Sequence, residues 1–580
     1  MSNMTQYERF SIERKQLQRN NEAPNWYTTS GYQLLKQKNY LLPGETPKGM
    51  YSRIATRAAH IADEILNIPL PVTWGYNSWY NAFFDIMWKG YMSPSTPVLT
   101  NMGSDRGHPI ACSGGIIPDA IAGFYEYYKE VAQLTQRGYG TSAALDLIRS
   151  RGESISKGGE ASGVHPVMDD LVTVCKKVSQ GNSRRGSIGK YLDILSSDFD
   201  EVADQILADD DGWNVGWNIT DDFLELIKKD PDEADRRWKK ALRIKLIKGK
   251  GYFLFLDKVN RANPKWYTDQ DYRVHSSNLC SEITLTATED QSFTCVLASM
   301  NVAKYDEWKD TKAVEIATVF LDTVIEDMLI KAKQEPGFEK VIKFTEGWRA
   351  IGLGLMGQAT YFQEKSIVFG DLQSIMLNQI IVKQLNERTH EVSKWLAKEI
   401  GEPEFLKGYG ERFSHRIAIA PTMSTAIIMG GVSDGINPII ANSYEQDTAG
   451  GTVYRINPTL LNIMKERNVY NEETMKRIAE DQGSVQAEDW LSQHEKDVFR
   501  TAFEINQETI LKLASDRQKE IDQSQSVNLF FPHDVKEEYV SEIHMKALLD
   551  PYIKSLYYIR TLNGATKVKI EAPVCLACDG

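Results

Sequence analysis

An α/β fold preceded by a helical domain is what this 580-residue sequence predicts. Two observations carry the prediction. From Ser93 to about Tyr539, short apolar runs alternate with longer amphipathic stretches, the pattern of strands joined by helices. Before that, apolar positions recur at three- and four-residue spacing, clearest from Ile54 to Ile65, with aromatic residues at Trp79, Phe83 and Trp88; this is the helical period. The longest amphipathic stretch, Ser374 to Ile400, stops at Gly401 with Pro403 beyond it, as a helix C-terminus should. The expected domains are a helical one at 1–90, an α/β one at 91–545, and a C-terminal segment at 546–580 whose end is polar and mobile. Periodicity alone does not say whether the sheet is open or closed.

Composition narrows the function. Hydrophobic residues make up 42% and charged residues 25%, ordinary for a globular protein. The net charge is −12, with 67 basic residues interspersed among 79 acidic ones, so a nucleic-acid backbone is repelled while free nucleotides remain bindable through local donors. The start is polar and no apolar stretch approaches the roughly 18 residues that span a bilayer; a cytoplasmic protein is expected. Six cysteines are too few for a disulfide scaffold, which turns attention to chemistry.

Cys280 lies between Asn278 and Glu282 at two residues' distance each way. In an extended segment residues two apart face the same side, so amide, thiol and carboxylate are expected to address one small substrate. Cys295 follows fifteen residues later, Cys112 lies far upstream, and Cys575 and Cys578 end the chain. Cys175, in a helical stretch, reads as a packing residue. For Cys575 and Cys578 a half zinc site is the plain alternative, but no second pair completes four ligands, and no metal site is expected. The run Gly352-Leu353-Gly354-Leu355-Met356-Gly357 matches a dinucleotide fingerprint, yet the stretch before it, Lys343 to Arg349, is a poor buried strand.

Taken in order, these residues resemble the catalytic large subunit of ribonucleotide reductase. The resemblance runs from about residue 25 to the C-terminus and rests on Pro94-Ser95-Thr96-Pro97 before Cys112, the run Asn278 to Glu282, Pro421 to Thr425, Arg517 to Ser524, Tyr557-Tyr558-Ile559-Arg560-Thr561, and the terminal cysteine pair. It implies a ten-stranded α/β barrel, two five-stranded halves set antiparallel, with a finger loop carrying Cys280 through the middle. The implied activity is that of a ribonucleoside-diphosphate reductase, an oxidoreductase that replaces the ribose 2′-hydroxyl by hydrogen with a disulfide as acceptor. Cys280 would form the thiyl radical that abstracts the 3′-hydrogen. Glu282 would act as general base on the 3′-hydroxyl, Asn278 would orient the sugar hydroxyls, and Cys112 with Cys295 would supply the electrons. Cys575 and Cys578 would re-reduce that pair by thiol exchange and be renewed by thioredoxin or glutaredoxin. Thr422, Ser424 and Thr425 would bind the substrate diphosphate at a helix N-terminus, where a plain N-cap is the alternative, and Thr96 would add a further contact. The family usually has a serine before the first redox cysteine; here Ala111 stands there.

For the radical source, adjacent Tyr557 and Tyr558 resemble the relay of the aerobic two-subunit class I. That implies no cofactor bound in this chain and a radical delivered by a metal-containing small subunit. The runner-up is the adenosylcobalamin-dependent class, to whose arginine-rich loop Ser183-Arg184-Arg185-Gly186-Ser187 is similar. Asp119, Arg149 and Lys157 fall where the family binds a deoxynucleotide or ATP effector at a homodimer interface. The chain has no room for an N-terminal ATP-cone, so inhibition by dATP through such a domain is not expected. A different functional class is a non-catalytic nucleotide-binding regulator on the same barrel, against which the intact set of five cysteines argues.

Overall fold

The computed structural model describes residues 6–156, 158–180, 184–208, 212–448 and 451–562. The N-terminal region is helical as its period predicts, with helices Gln6–Arg19, Thr29–Gln37, Pro47–His60 and Trp79–Trp88. Pro47–His60 shows why the local sequence folds this way. The Thr46 side chain accepts from the Gly49 N–H, Pro47 occupies the first turn where no N–H is needed, and Met50, Ile54, Ala55 and Ala58 form its buried face. Pro47–His60 and Trp79–Trp88 dock on Ala313–Ala332, which is buried nearly all round, as a helix without a polar face must be. Phe83 meets Phe320 edge-on at 5.6 Å, and Arg57 Nε bonds the buried Asp327 carboxylate at 2.7 Å. Leu372–Ile400 begins at an Asp371 cap and ends at Gly401 with φ 94°, the stop expected from sequence.

The strands that matter here are β1 (Met92–Pro94), β2 (Cys112–Ile116), β3 (Thr141–Ala144), β4 (Ile188–Asp193), β5 (Asn214–Ile219), β6 (Tyr252–Phe255), β7 (Phe293–Asn301), β8 (Ile351–Met356), β9 (Leu529–Phe531), β10 (Ser555–Leu556) and β11 (Ile559–Thr561). Strands β2 to β6 are parallel neighbours in sequence order, the arrangement that helical crossovers impose. At one edge β2 pairs antiparallel with β7, which carries β8 parallel to itself. At the other edge β6 pairs antiparallel with β10.

Regular ladders thus join nine strands into one curled mixed sheet, and two extended segments that are not themselves strands complete the ring. Ile351 N–H and Leu353 N–H of β8 donate to the carbonyls of His415 and Arg416 at 3.0 and 2.9 Å. Ile419 then exchanges bonds with Ser524 and Ser526, and Tyr557 N–H reaches Val527 O at 2.8 Å while β9 runs parallel to β11. The ring therefore has two halves: β2 to β6, and β7, β8, the segment at 415–419, the segment at 523–527 that leads into β9, and the stretch from β10 to β11. The tenfold expectation holds, with the refinement that two of the ten members are irregular.

Residues 276–287 run buried through the middle of this ring. The interior makes room for them at specific places. A Cβ on Gly189 of β4 would sit 3.3 Å from Leu279 Cα, and Tyr191 on the same strand donates its hydroxyl to Asn278 O at 2.6 Å. The glycine run on β8 serves packing as well: a Cβ on Gly354 would lie 2.6 Å from Ala418 O. Helix Glu339–Trp348 precedes β8, so the stretch before the glycines is not a strand and the dinucleotide reading falls.

Candidate active site

The finger segment is a tight turn, not the extended run its spacing suggested. Ser281 N–H donates to Asn278 O at 3.3 Å, and Ser281 takes a left-handed φ of 68°, a conformation serine rarely adopts. The Asn278 side chain over-determines it: its Oδ1 accepts from the Glu282 and Ile283 N–H groups at 3.1 and 3.2 Å. This is the local bonding asparagine favours in turns. Ser526 fixes the turn from outside, donating to Cys280 O at 2.6 Å.

Turn or not, the three side chains open on one cleft. This cleft is lined by Asn278, Cys280 and Glu282 on the finger, Cys112 on β2, Thr96 behind β1, and Thr422, Ser424 and Thr425 on the far wall. Asn278 Nδ2 donates to Cys112 Sγ at 3.2 Å and to Glu282 Oε1 at 2.9 Å. Ser526 Oγ stands 3.2 Å from Glu282 Oε2. A single amide thus ties the carboxylate to the thiol facing it across the cleft.

Cys295 is fully buried and does not line the cleft. It sits directly opposite Cys112 in the β2–β7 register. Cα atoms of opposed residues on antiparallel strands are about 4.5–5.5 Å apart, within the span of a disulfide; both cysteines are unbridged thiols here. Burial pushes the Cys295 thiol well above its ordinary value, offset in part by the Gln523 amide 3.6 Å away. Cys295 is held as the protonated thiol. Gly352 keeps its place open, since a Cβ there would come within 3.2 Å of Cys295 Sγ.

Behind Cys280, away from the cleft, lies an aromatic cluster. Tyr557 OH reaches Cys280 Sγ at 3.5 Å, the Tyr557 and Tyr558 rings are 3.9 Å apart, and Tyr252 on β6 packs on both at 4.8 and 5.6 Å. Lys245, from helix Pro231–Lys248, donates to Tyr557 O at 2.6 Å.

The far wall differs from a simple cap. Thr422 precedes the short helix Met423–Ile428, but its side chain makes no capping bond. Its Oγ1 accepts from the Gly435 N–H at 2.8 Å, and its N–H donates to Asp434 at 2.6 Å. Burial raises the Asp434 carboxyl, against the Arg560 charge. Asp119 and Arg149 pair with each other as an ion pair and do not line the cleft; Lys157, Cys575 and Cys578 lie outside the described residues. Cys175 is buried in helix Val164–Lys177, its thiol pushed up to about 11 by burial, in keeping with packing. Of the loop Ser183 to Ser187, the structure describes a short backbone pairing of Arg184–Arg185 with Ser179–Gln180.

Residue types alone did not point to Ser526, Gln523, Tyr191, Tyr252 or Lys245. A usable signal existed for two of them: Gln523 and Ser526 fall in a run of six polar residues, Asp522 to Ser526 and Asn528 about Val527, of which all but Asp522 are buried. Such a run in a barrel wall has work to do.

Comparison with known proteins agrees with this geometry. The ribonucleotide reductase barrel-domain model matches residues 111–233, 216–408 and 403–559, and the ribonucleotide reductase all-alpha domain model matches 26–107. The chain belongs to the ribonucleotide reductase large-subunit family. Within it, a putative ribonucleoside-diphosphate reductase large subunit of Frog virus 3 is 31% identical over 526 residues, covering 86% of this chain and 92% of its own. A class Id ribonucleotide reductase alpha subunit from Actinobacillus ureae superposes with a TM-score of 0.84 at 34% identity, covering 93% of this chain and 98% of that one. A vitamin B12-dependent ribonucleoside-diphosphate reductase of Thermoplasma acidophilum is 27% identical over 531 residues, 84% of this chain and 66% of its own length. No helix among the described residues is long and apolar enough to cross a membrane.

Proposed function

We propose that the cleft reduces ribonucleoside diphosphates at the 2′ carbon by radical chemistry centred on Cys280. The chain is a catalytic subunit of ribonucleotide reductase, and the observation that supports this assignment of roles is the position of Cys280: its sulfur has a tyrosine hydroxyl 3.5 Å behind it and the substrate cleft in front.

In this reading one oxidising equivalent enters through Tyr558 and Tyr557. The Tyr557 radical takes a hydrogen atom from Cys280, leaving phenol and thiyl radical. The thiyl takes the 3′-hydrogen of the ribose, while Glu282 accepts the 3′-hydroxyl proton. The 2′-hydroxyl leaves as water with a proton from the Cys112–Cys295 pair. Two electrons and the second proton of that pair reduce the sugar as the S–S bond forms, Glu282 returns its proton to the 3′-oxygen, and Cys280 returns its hydrogen to C3′. The protonated state of Cys295 suits a proton donor. Asn278, already bonded to Glu282 and Cys112, keeps base and reductant in register. Thr96, Thr422, Ser424 and Thr425 line the end available to the diphosphate.

The radical would come from a metal-containing small subunit, as in class I enzymes. Cys575 and Cys578 would shuttle electrons from thioredoxin or glutaredoxin, and Asp119, Arg149 and Lys157 would take an effector nucleotide in a homodimer. The deciding experiment is CDP reduction by the purified chain with dithiothreitol, supplemented either with the metal-loaded small subunit from the same genome or with adenosylcobalamin. Turnover with the small subunit alone is expected. Turnover with adenosylcobalamin alone would reduce Tyr557 and Tyr558 to packing residues and move the chain to the cobalamin class.

A further inference from the structure

Lys245 is fully buried, yet its ammonium has no carboxylate partner among the described residues. Its one side-chain hydrogen bond among the described residues is to the main-chain oxygen of Tyr557, at 2.6 Å. Burying an ammonium without a counter-charge is expensive. An anchor for a carbonyl needs only a neutral donor such as glutamine. The charge therefore calls for a reason of its own.

The surroundings sharpen the question. From β6 the Phe253 ring faces Lys245 Nζ at 5.0 Å. From helix Glu537–Leu549 comes His544, which burial lowers to about 3 and which is therefore neutral. From the loop before β6, Gly251 places Lys245 Cγ and Trp217 Nε1 within 3.5 Å of its would-be Cβ. Tyr557 stands apart among these neighbours, because its hydroxyl meets Cys280. Lys245 is the cation tied to the residue that hands the radical on.

We propose that Lys245 is a positioning residue for radical transfer: its ammonium, fixed on Tyr557, opposes loss of the tyrosine electron ahead of the phenolic proton, and so holds oxidation of Tyr557 back until the proton can leave with it. The inference rests on the relay role of Tyr557 given above. The step is balanced. Tyr557 gives one electron and its phenolic proton together to the Tyr558 radical, whose ring lies 3.9 Å away and which becomes a phenol again, and the resulting neutral Tyr557 radical takes a hydrogen atom from the Cys280 thiol. A phenol that loses its electron first becomes a cation, which a nearby ammonium destabilises; a phenol that loses both is neutral throughout.

Desolvation lowers Lys245 to about 7, which makes the device readable. A neutral amine still donates to Tyr557 O, so the anchor survives deprotonation while the charge disappears. Radical delivery should then rise as pH climbs through about 7. Lys258, also lowered to about 7, and Asp146, raised to about 7, titrate in the same range, so the test compares variants that keep both.

The test uses the full chain with its small subunit, following CDP turnover from about pH 6 to about pH 8.5. Lys245→Gln keeps a donor and removes the charge; Lys245→Arg keeps the charge at every pH. The expected result is that Lys245→Gln stays near the high-pH rate throughout and Lys245→Arg near the low-pH rate, the two differing about tenfold at low or high pH with KM for CDP unchanged. Both variants following the wild-type profile, or both falling equally at all pH values, would overturn the proposal. A second measurement leaves Lys245 untouched: with 3-aminotyrosine at position 557, the yield of its radical by electron paramagnetic resonance should rise through the same range, and a flat yield would overturn it. Tyr557→Phe is the separate control, since full turnover in that variant would remove the relay itself whatever Lys245 does.

Discussion

Asn278 spends its amide entirely within the protein. Its two functional atoms hold Glu282, Cys112 and the N–H groups of Glu282 and Ile283, so it shapes the turn before it meets any substrate. Asn278→Ala should therefore cost stability as well as activity. Leaving two buried N–H groups and a carboxylate without their partner is worth about 1–3 kcal/mol for each unsatisfied group, although the turn can relax. A drop in the denaturation midpoint accompanying the loss of turnover is expected; unchanged stability would mean the turn is held by Ser526 and Tyr191 alone. Cys280→Ser, by contrast, should abolish turnover and leave nucleotide binding intact, and unchanged turnover would end the radical role. At this scale the chemistry-bearing residues were legible, because thiol, amide and carboxylate at fixed spacing constrain one another. Their conformation was not. Serine carries no mark of a left-handed φ, and two of the partners that help Asn278 hold it, Ser526 and Tyr191, are far away in sequence.

Elements differ in how openly they declare themselves. Helix Leu372–Ile400 announces both ends, with Asp371 accepting the Ser374 N–H at 2.7 Å and Gly401 taking positive φ; local rules decide it. Strands β2 to β6 are likewise visible as short apolar runs between helices. The segments at 415–419 and 523–527 escape such reading because they are buried through polar as well as apolar side chains, and they bond to strands only at scattered points. Their fit against β8 depends on missing side chains. Gly354→Ala would drive a Cβ to 2.6 Å from the Ala418 carbonyl, a main-chain contact that cannot swing aside. A loss of about 1–3 kcal/mol is expected, along with weaker substrate binding, because Thr422 to Thr425 follow directly on that segment. Wild-type stability and KM in Gly354→Ala would show the barrel wall to be more compliant than the contact implies.

The whole molecule carries buried bases that acid will find. Burial lowers His415 to about 4 and His544 to about 3, each from an ordinary value of 6.5. In both cases the unfolded chain binds a proton that the folded one refuses. Their contribution to stability is present above about pH 6.5 and is lost as pH falls through the folded values, by roughly 3–5 kcal/mol per group at most. Stability to urea should decline steeply between about pH 6 and about pH 4, and His544→Phe should flatten part of that slope; an unaltered slope would place the acid sensitivity elsewhere. The fold class was legible because α/β alternation persists over hundreds of residues. Closure was not, since it depends on where the ends of the sheet meet.

One of those meetings is the seam where β2 crosses to β7, and Cys112 faces Cys295 across it. A bond between these sulfurs would be a covalent rivet joining the two halves of the barrel, set and drawn once in every catalytic cycle. Cross-linking residues so distant in sequence constrains an unfolded chain by about 5 kcal/mol in the loop-entropy account. The spent enzyme would then melt at a higher temperature than the charged one, and a calorimeter could count its oxidation state without a substrate present.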